Sequence, residues 1–129
     1  MGSTSELKHL ILIVDDNKDN RDIAKLFLRS DLYEFLECAN GEDAVSAVLN
    51  HKIDLILMDI RMPIMNGYEA TQKIREYNLN VPIVFCTAND SKEALDKAMS
   101  SGGDEFITKP IVRDELINLM SKILGDIQN

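Results

Sequence analysis

The chain of 129 residues has no tryptophan, only two cysteines, two histidines and three prolines, and its aromatics amount to 5%. Two widely spaced cysteines cannot form the disulfide framework of a small secreted domain. With His9 and His51 as the only histidines, no zinc-ligand spacing exists either. Cys38 and Cys86 each end an apolar run, so both are expected to be buried, inert thiols. No apolar stretch approaches the roughly 18 residues that span a bilayer. The opening Met1-Gly2-Ser3-Thr4-Ser5-Glu6 has no apolar signal core, and Glu6 stands where N-myristoylation needs Ser or Thr. A cytoplasmic location without membrane contact is expected. Cationic residues are scarce as well: 14 Lys+Arg against 22 Asp+Glu leave a net charge of −8. With no basic run to interrupt it, that surface repels phosphate backbones and excludes a self-sufficient nucleic-acid binder.

What is present is ordinary globular material, 45% hydrophobic and 28% charged, at a length that suits one domain. Residues 1–7 are expected to be a flexible leader or cloning remnant, 8–126 the domain, and 127–129 a C-terminal tail. Leu10 to Val14, Ile53 to Met58 and Val81 to Cys86 are continuously apolar, as parallel strands are when helices cover both faces. Tyr33 to Cys38 alternates like an edge strand, and Glu105 to Thr108 is short enough for the opposite edge. Between the strands run helical stripes: Ala44, Val45, Val48 and Leu49; Ala94, Leu95, Ala98 and Met99; and Leu116, Leu119, Met120, Ile123 and Ile127. Asn40-Gly41 and Asn66-Gly67 mark strand-to-helix turns, and Ser101-Gly102-Gly103 closes a helix. Right-handed crossovers make this an α/β fold, a single doubly wound parallel sheet of five strands with five helices.

In such sheets the working crevice lies beyond the carboxyl ends of the strands. Asp15 and Asp16 follow the first strand, Asp59 the third, Thr87 and Ala88 the fourth, and Lys109 and Pro110 the fifth. Any single Asp there is accounted for as a helix cap, and Asp15-Asp16-Asn17 suits that role. Three carboxylates converging with a lysine are not. Crowded carboxylates destabilise one another unless a cation lies among them. Hard oxygen donors without histidine or thiolate favour Mg²⁺, with Mn²⁺ as a substitute.

A divalent cation beside a carboxylate, a hydroxyl and an ammonium suggests phosphoryl transfer through an acyl phosphate. Acidic Asp15-Asp16 excludes a flavodoxin-type phosphate loop, and no Gly-rich P-loop occurs. A phosphatase of the haloacid dehalogenase type would want Asp two residues beyond Asp59, where Arg61 stands.

The motifs Val14-Asp15-Asp16-Asn17, Met58 to Gly67, Cys86-Thr87-Ala88 and Gly102 to Pro110, in this order, resemble a response-regulator receiver domain of two-component signalling, from about Lys8 to Leu124. The resemblance implies a flavodoxin-like sheet with strand order 2-1-3-4-5. It implies that Asp59 accepts a phosphoryl group from a phosphohistidine, and that Asp15, Asp16, Asp59 and the Arg61 backbone carbonyl hold Mg²⁺, Asp15 largely through water. Lys109 would pair with the phosphoryl group, Thr87 would swing toward it, and Ala88 would leave room for the donor. Phe106 matches the switch aromatic, with a plain core aromatic as the alternative. Arg61 and Asn89 occupy positions that tune acyl-phosphate lifetime, and the Lys109-Pro110 bond is cis in many relatives. Asn66 replaces the usual Asp but still suits the Gly67 turn. Phe106 lacks the tyrosine hydroxyl found in many relatives.

Asn17, Asn20, Glu69-Ala70-Thr71 and Lys109-Pro110-Ile111 resemble receivers of hybrid histidine kinases, with a stand-alone regulator as the alternative. The expected partners are a histidine kinase, a histidine phosphotransfer domain or both, and the expected state is a monomer or weak dimer. The apolar residues Ile23, Ala24, Leu26, Phe27 and Leu28 cover more of the helix than one core stripe needs, so Ile23 and Leu26 are candidates for partner docking. Burial between neighbouring elements is the alternative. Two other functions compete: a pseudo-receiver that binds without chemistry, disfavoured because Asp59, Lys109 and the acidic pair are all present, and a small-molecule phosphatase.

Overall fold

A computed structural model of the chain describes residues 8–29 and 31–125. Ile127, the leader at 1–7 and the tail at 127–129 lie outside them. Strands and helices alternate throughout: β1 (His9–Val14), α1 (Lys18–Phe27), β2 (Tyr33–Cys38), α2 (Gly41–Asn50), β3 (Leu55–Asp59), α3 (Gly67–Tyr77), β4 (Ile83–Thr87), α4 (Lys92–Ser100), β5 (Glu105–Thr108) and α5 (Arg113–Leu124). The strands form one parallel sheet in the order β2-β1-β3-β4-β5.

Strand periodicity divides the core in two. Ile11, Ile13, Leu55, Leu57, Val84 and Cys86 face α1 and α5, meeting Ala24, Leu28, Leu116 and Met120. Their neighbours Leu12, Val14, Ile56, Met58, Ile83 and Phe85 face the other way, against Ala44, Ala70, Ile74 and Ala98. Both faces of the central strands are thereby covered, which is why these runs are apolar without alternation.

The two later central strands begin two residues beyond the starts the apolar runs suggest. Ile53 and Val81 are still buried, but their surroundings use the backbone otherwise. Val81 N–H donates to Asn78 Oδ1 and Pro82 has no N–H, so the β4 ladder opens at Ile83. Before β3, Asp54 N–H donates to the Leu10 carbonyl while its carboxylate accepts from Leu10 N–H. At their other ends, the ladder pairings of Asp59 with Cys86 and Thr87 with Thr108 make Asp59 and Thr87 the last residues of their strands instead of the ones that follow.

Asn17, Asn40, Asn66 and Ser91 cap four helices by accepting a backbone N–H three residues on. Asn66 and Glu69 complete a capping box, so the Asn-for-Asp exchange leaves the cap intact. Because Asn17 caps α1, Asp16 is not consumed in that role. The α4 stripe is shallower than its spacing suggests: only Ala98 is buried, and Met99 is exposed. Cys38 corrects another expectation, being only partly buried at the edge of the sheet, whereas Cys86 is fully buried.

Candidate functional site

The strand register delivers the polar residues to one rim. Asp59 pairs with Cys86, and Thr87 with Thr108, so β4 and β5 end level and β3 ends one residue short of them. Asp15 leaves β1 with its N–H donating to the Cys38 carbonyl at 3.0 Å. Its Oδ1 accepts from Asn17 N–H at 2.9 Å, and its Oδ2 lies 3.2 Å from Lys109 Nζ. Lys109, whose N–H donates to the Thr87 carbonyl and whose bond to Pro110 is cis, extends its ammonium across to Asp59 Oδ1 at 3.1 Å. Asp59 Oδ1 also accepts from Ile60 N–H at 2.9 Å.

Asp15 and Asp59 are buried and Asp16 is exposed, yet one carboxylate oxygen from each lies within 4.8 Å of the others. These are hard oxygen donors with no softer ligand among them, a set that fits Mg²⁺. Burial first, and then the Asp15 charge, push the Asp59 carboxyl above its ordinary pKa, only partly offset by Lys109 and the Ile60 amide. Burial alone would lower the Lys109 ammonium, but Asp59 and Asp15 outweigh it and hold its pKa above the usual value.

An open cleft of about 600 Å³ lies over the cluster, with Asp16, Arg61, Tyr68, Thr87, Ala88 and Asn89 among its walls. The Thr87 hydroxyl is turned to its own loop, accepting from Asn89 N–H at 2.9 Å and donating to the Asn89 carbonyl at 3.0 Å. Phe106 stands in register with Phe85 on edge strand β5 and is 36% exposed, which overturns the plain core alternative. Ile23 and Leu26 are also exposed, at 43% and 58%. Ile23 borders a second, apolar cavity of about 500 Å³ with Phe27, Ala88, Pro110 and Ile111, and Leu26 does not.

In the loop after Asp59, Ile64 takes a φ of 70° and Met65 N–H donates to the Pro63 carbonyl at 2.7 Å, a γ-turn held at an exposed β-branched residue. No sequence motif singles out Tyr68 or Arg21. Tyr68 joins the cleft to α4: its ring meets Phe85 at 5.6 Å and carries Lys97 Nζ at 4.7 Å. Its place in the first turn of α3, directly after the Asn66-Gly67 signal, was the only cue.

Residues 11–121 match the response regulator receiver domain family. The chain belongs to that family. This receiver domain is 34% identical over 114 residues to the chemotaxis protein CheY of Halobacterium salinarum, covering 88% of this chain and 95% of that protein. It is 39% identical over 112 residues to the CAI-1 autoinducer sensor kinase/phosphatase CqsS of Vibrio cholerae, covering 84% of this chain but only 16% of the kinase. Among solved structures, it resembles the receiver domain of a sensor histidine kinase from Pseudomonas aeruginosa, solved with magnesium coordinated in its active site cleft. The identity is 33% and the TM-score 0.85, covering 92% of this chain and 99% of that one. The receiver family is a signalling switch of two-component phosphorelays, and the acidic cluster of Asp15, Asp16 and Asp59 fits its magnesium-dependent phosphorylation site. No helix of the described residues is long and apolar enough to cross a membrane.

Proposed function

We propose that this receiver takes a phosphoryl group onto Asp59 from the phosphohistidine of a histidine kinase or histidine phosphotransfer domain. The observation that carries this reading is the Lys109 ammonium, 3.1 Å from Asp59 and 3.2 Å from Asp15 within the acidic cluster. Asp59 Oδ1 is engaged by Lys109 and Ile60, leaving Oδ2 without a hydrogen bond among the described residues and free to attack. That oxygen forms a bond to phosphorus as the phosphorus–nitrogen bond breaks. The bonding pair leaves on the imidazole nitrogen and the product is an acyl phosphate. Burial makes the Asp59 carboxylate more basic, hence a better nucleophile, than one in water.

Asp15, Asp16, Asp59 and the Arg61 carbonyl would hold Mg²⁺, with Mn²⁺ as a substitute. The bound ion neutralises charge on the transferring phosphoryl oxygens. Lys109 supplies a compact positive charge to the same group. Ala88 leaves the donor an approach, and Arg61 and Asn89, both exposed at the cleft, govern how readily water reaches the acyl phosphate. Thr87 exchanges its Asn89 partners for a phosphoryl oxygen, and Phe106 turns into the space it leaves. Partners read the change through their differential affinity for the two arrangements.

The exposed Ile23 and Leu26, with the apolar cavity beside Lys109, form the docking face for the partner helix that carries the histidine. Ile23→Asp and Leu26→Asp then lose phosphotransfer from the partner while still accepting phosphate from acetyl phosphate. Loss of both, or of neither, removes the docking reading.

The chain acts as a monomer or weak dimer on the cytoplasmic side, as the receiver of a hybrid histidine kinase. The stand-alone alternative draws support from the end-to-end match to the chemotaxis protein. It turns over no free phosphoesters. Incubation with acetyl phosphate and Mg²⁺ tests the core of this reading by intact mass. A labile gain of one phosphate that needs magnesium and is absent in Asp59→Asn is expected. Steady phosphate release from a generic ester instead establishes a phosphatase, and no modification at all leaves a pseudo-receiver.

A further inference from the structure

Arg21, on α1, is largely covered, with 15% of its side chain exposed. Its Nη1 donates to the main-chain carbonyl of Asp15 at 2.7 Å, and its Nε donates to Glu37 Oε1 at 2.9 Å. Glu37 is held a second time by Lys25 Nζ at 2.6 Å. One guanidinium therefore bridges the exit of β1 and the end of β2, which already lie side by side through the Val14–Cys38 register. The carbonyl that it grips belongs to the peptide joining Asp15 to Asp16. Holding that peptide sets the direction in which the Asp16 side chain leaves the chain. The other side of Asp16 is fixed by Asn17 N–H on Asp15 Oδ1, while among the described residues the Asp16 carboxylate has no hydrogen bond or ion pair of its own.

We propose that Arg21 is a positioning residue for the acidic pair, acting through the Asp15 carbonyl to aim Asp16 into the metal-binding cluster. This rests on the magnesium site proposed above. Charge and geometry here have opposite signs. Arg21 is a cation near three carboxylates, so by Coulomb repulsion alone its removal would tighten Mg²⁺ binding. As a positioning residue its removal weakens binding, since partners that orient metal ligands typically contribute about 10–100-fold in affinity. Lysine keeps the charge but cannot span both acceptors, because it lacks the planar fork.

The test uses the full chain, with Arg21→Gln and Arg21→Lys beside wild type. Mg²⁺ affinity is measured by titration calorimetry, and hydrogen exchange at the Asn17 amide is measured in EDTA. Expected are a Mg²⁺ affinity about tenfold weaker in Arg21→Gln, a smaller loss in Arg21→Lys, and faster exchange at the Asn17 amide, which is held by Asp15 Oδ1, without metal. Should Arg21→Gln fail to fold, Arg21→Lys decides on the same two readouts. Equal or tighter binding overturns the proposal, as does weaker binding with unchanged exchange. Wild-type protein that binds no Mg²⁺ overturns the magnesium site itself and this inference with it. Wild-type binding matched by both variants overturns this inference alone.

Discussion

A β-carbon placed on Gly67 would lie 2.2 Å from the carbonyl oxygen of Asp59, so the first turn of α3 rests directly on the backbone of the acidic cluster. Gly67 N–H donates to the Ile60 carbonyl at 2.8 Å, closing the loop between them. Because the obstacle is main chain, Gly67→Ala is expected to cost about 3 kcal/mol, the upper end for overpacking, and to slow phosphorylation by displacing Asp59. Gly125→Ala makes the contrast. Open space surrounds that glycine, but its φ of 73° opposes a side chain. Its cost is about 1–2 kcal/mol from left-handed backbone alone, with phosphorylation unchanged. Urea melts and acetyl phosphate kinetics on both variants check the pair.

Lys109 keeps two buried carboxylates from facing each other unpaired. Lys109→Met is expected to destabilise the metal-free protein at neutral pH by about 1–3 kcal/mol, below the figure for a fully buried pair because Lys109 is partly exposed. Added Mg²⁺ should recover much of the loss. Phosphorylation should fall about 100-fold, the scale of losing one preorganised charge partner. Thermal melts with EDTA and with magnesium, beside the rate, measure both effects.

The folded form holds the Asp59 proton more tightly than the unfolded chain, because its pKa is raised. The stability this contributes is fully present below the ordinary carboxylate pKa and is lost as pH rises through the raised folded value. At neutral pH an ionised Asp59 therefore costs stability. Asp59→Asn should melt higher than wild type in EDTA at pH 7, and the gap should close as pH falls into the carboxylate range. Differential scanning calorimetry across that range would show no such slope if Lys109 fully compensated Asp59, and the opposite slope if it overcompensated.

Thr87→Ala removes a hydroxyl that both accepts from and donates to Asn89, and should cost about 1 kcal/mol. Phe106→Ala, at an exposed site, should change stability by less than that. Their effects on the switch should exceed their effects on folding. In wild type the Phe106 ring resonances are expected to shift on phosphorylation, and in Thr87→Ala they should stay where they are. A full shift in the variant would mean that the aromatic moves without the threonine.

The order and type of the elements were legible because each central strand is apolar without alternation and four of the five helices open on an Asn or Ser cap, α5 alone starting at Val112 without one. The boundaries of β3 and β4 were not. Ile53 and Val81 are as buried as strand residues, but Asp54, Asn78 and Pro82 divert the backbone before the ladder begins. The convergence of Asp15, Asp59 and Lys109 could be read from strand ends, since topology alone brings those ends to one rim. Arg21 could not, because it meets a main-chain carbonyl at the exit of β1 and a carboxylate on β2, and neither contact leaves a spacing in the chain. Burial depth was also hidden: Met99 and Leu26 sit at core-like spacings on helices that present them to solvent.

Cys86 stands beside Asp59 across the β3–β4 ladder, and burial pushes its thiol up to about 12. The acyl phosphate proposed at Asp59 is a mixed anhydride, and a thiolate within reach would attack its acyl carbon, expel inorganic phosphate and leave a thioester, ending the signal. Sulfur kept protonated at that distance is a silent neighbour, so the lifetime of the mark is left to water.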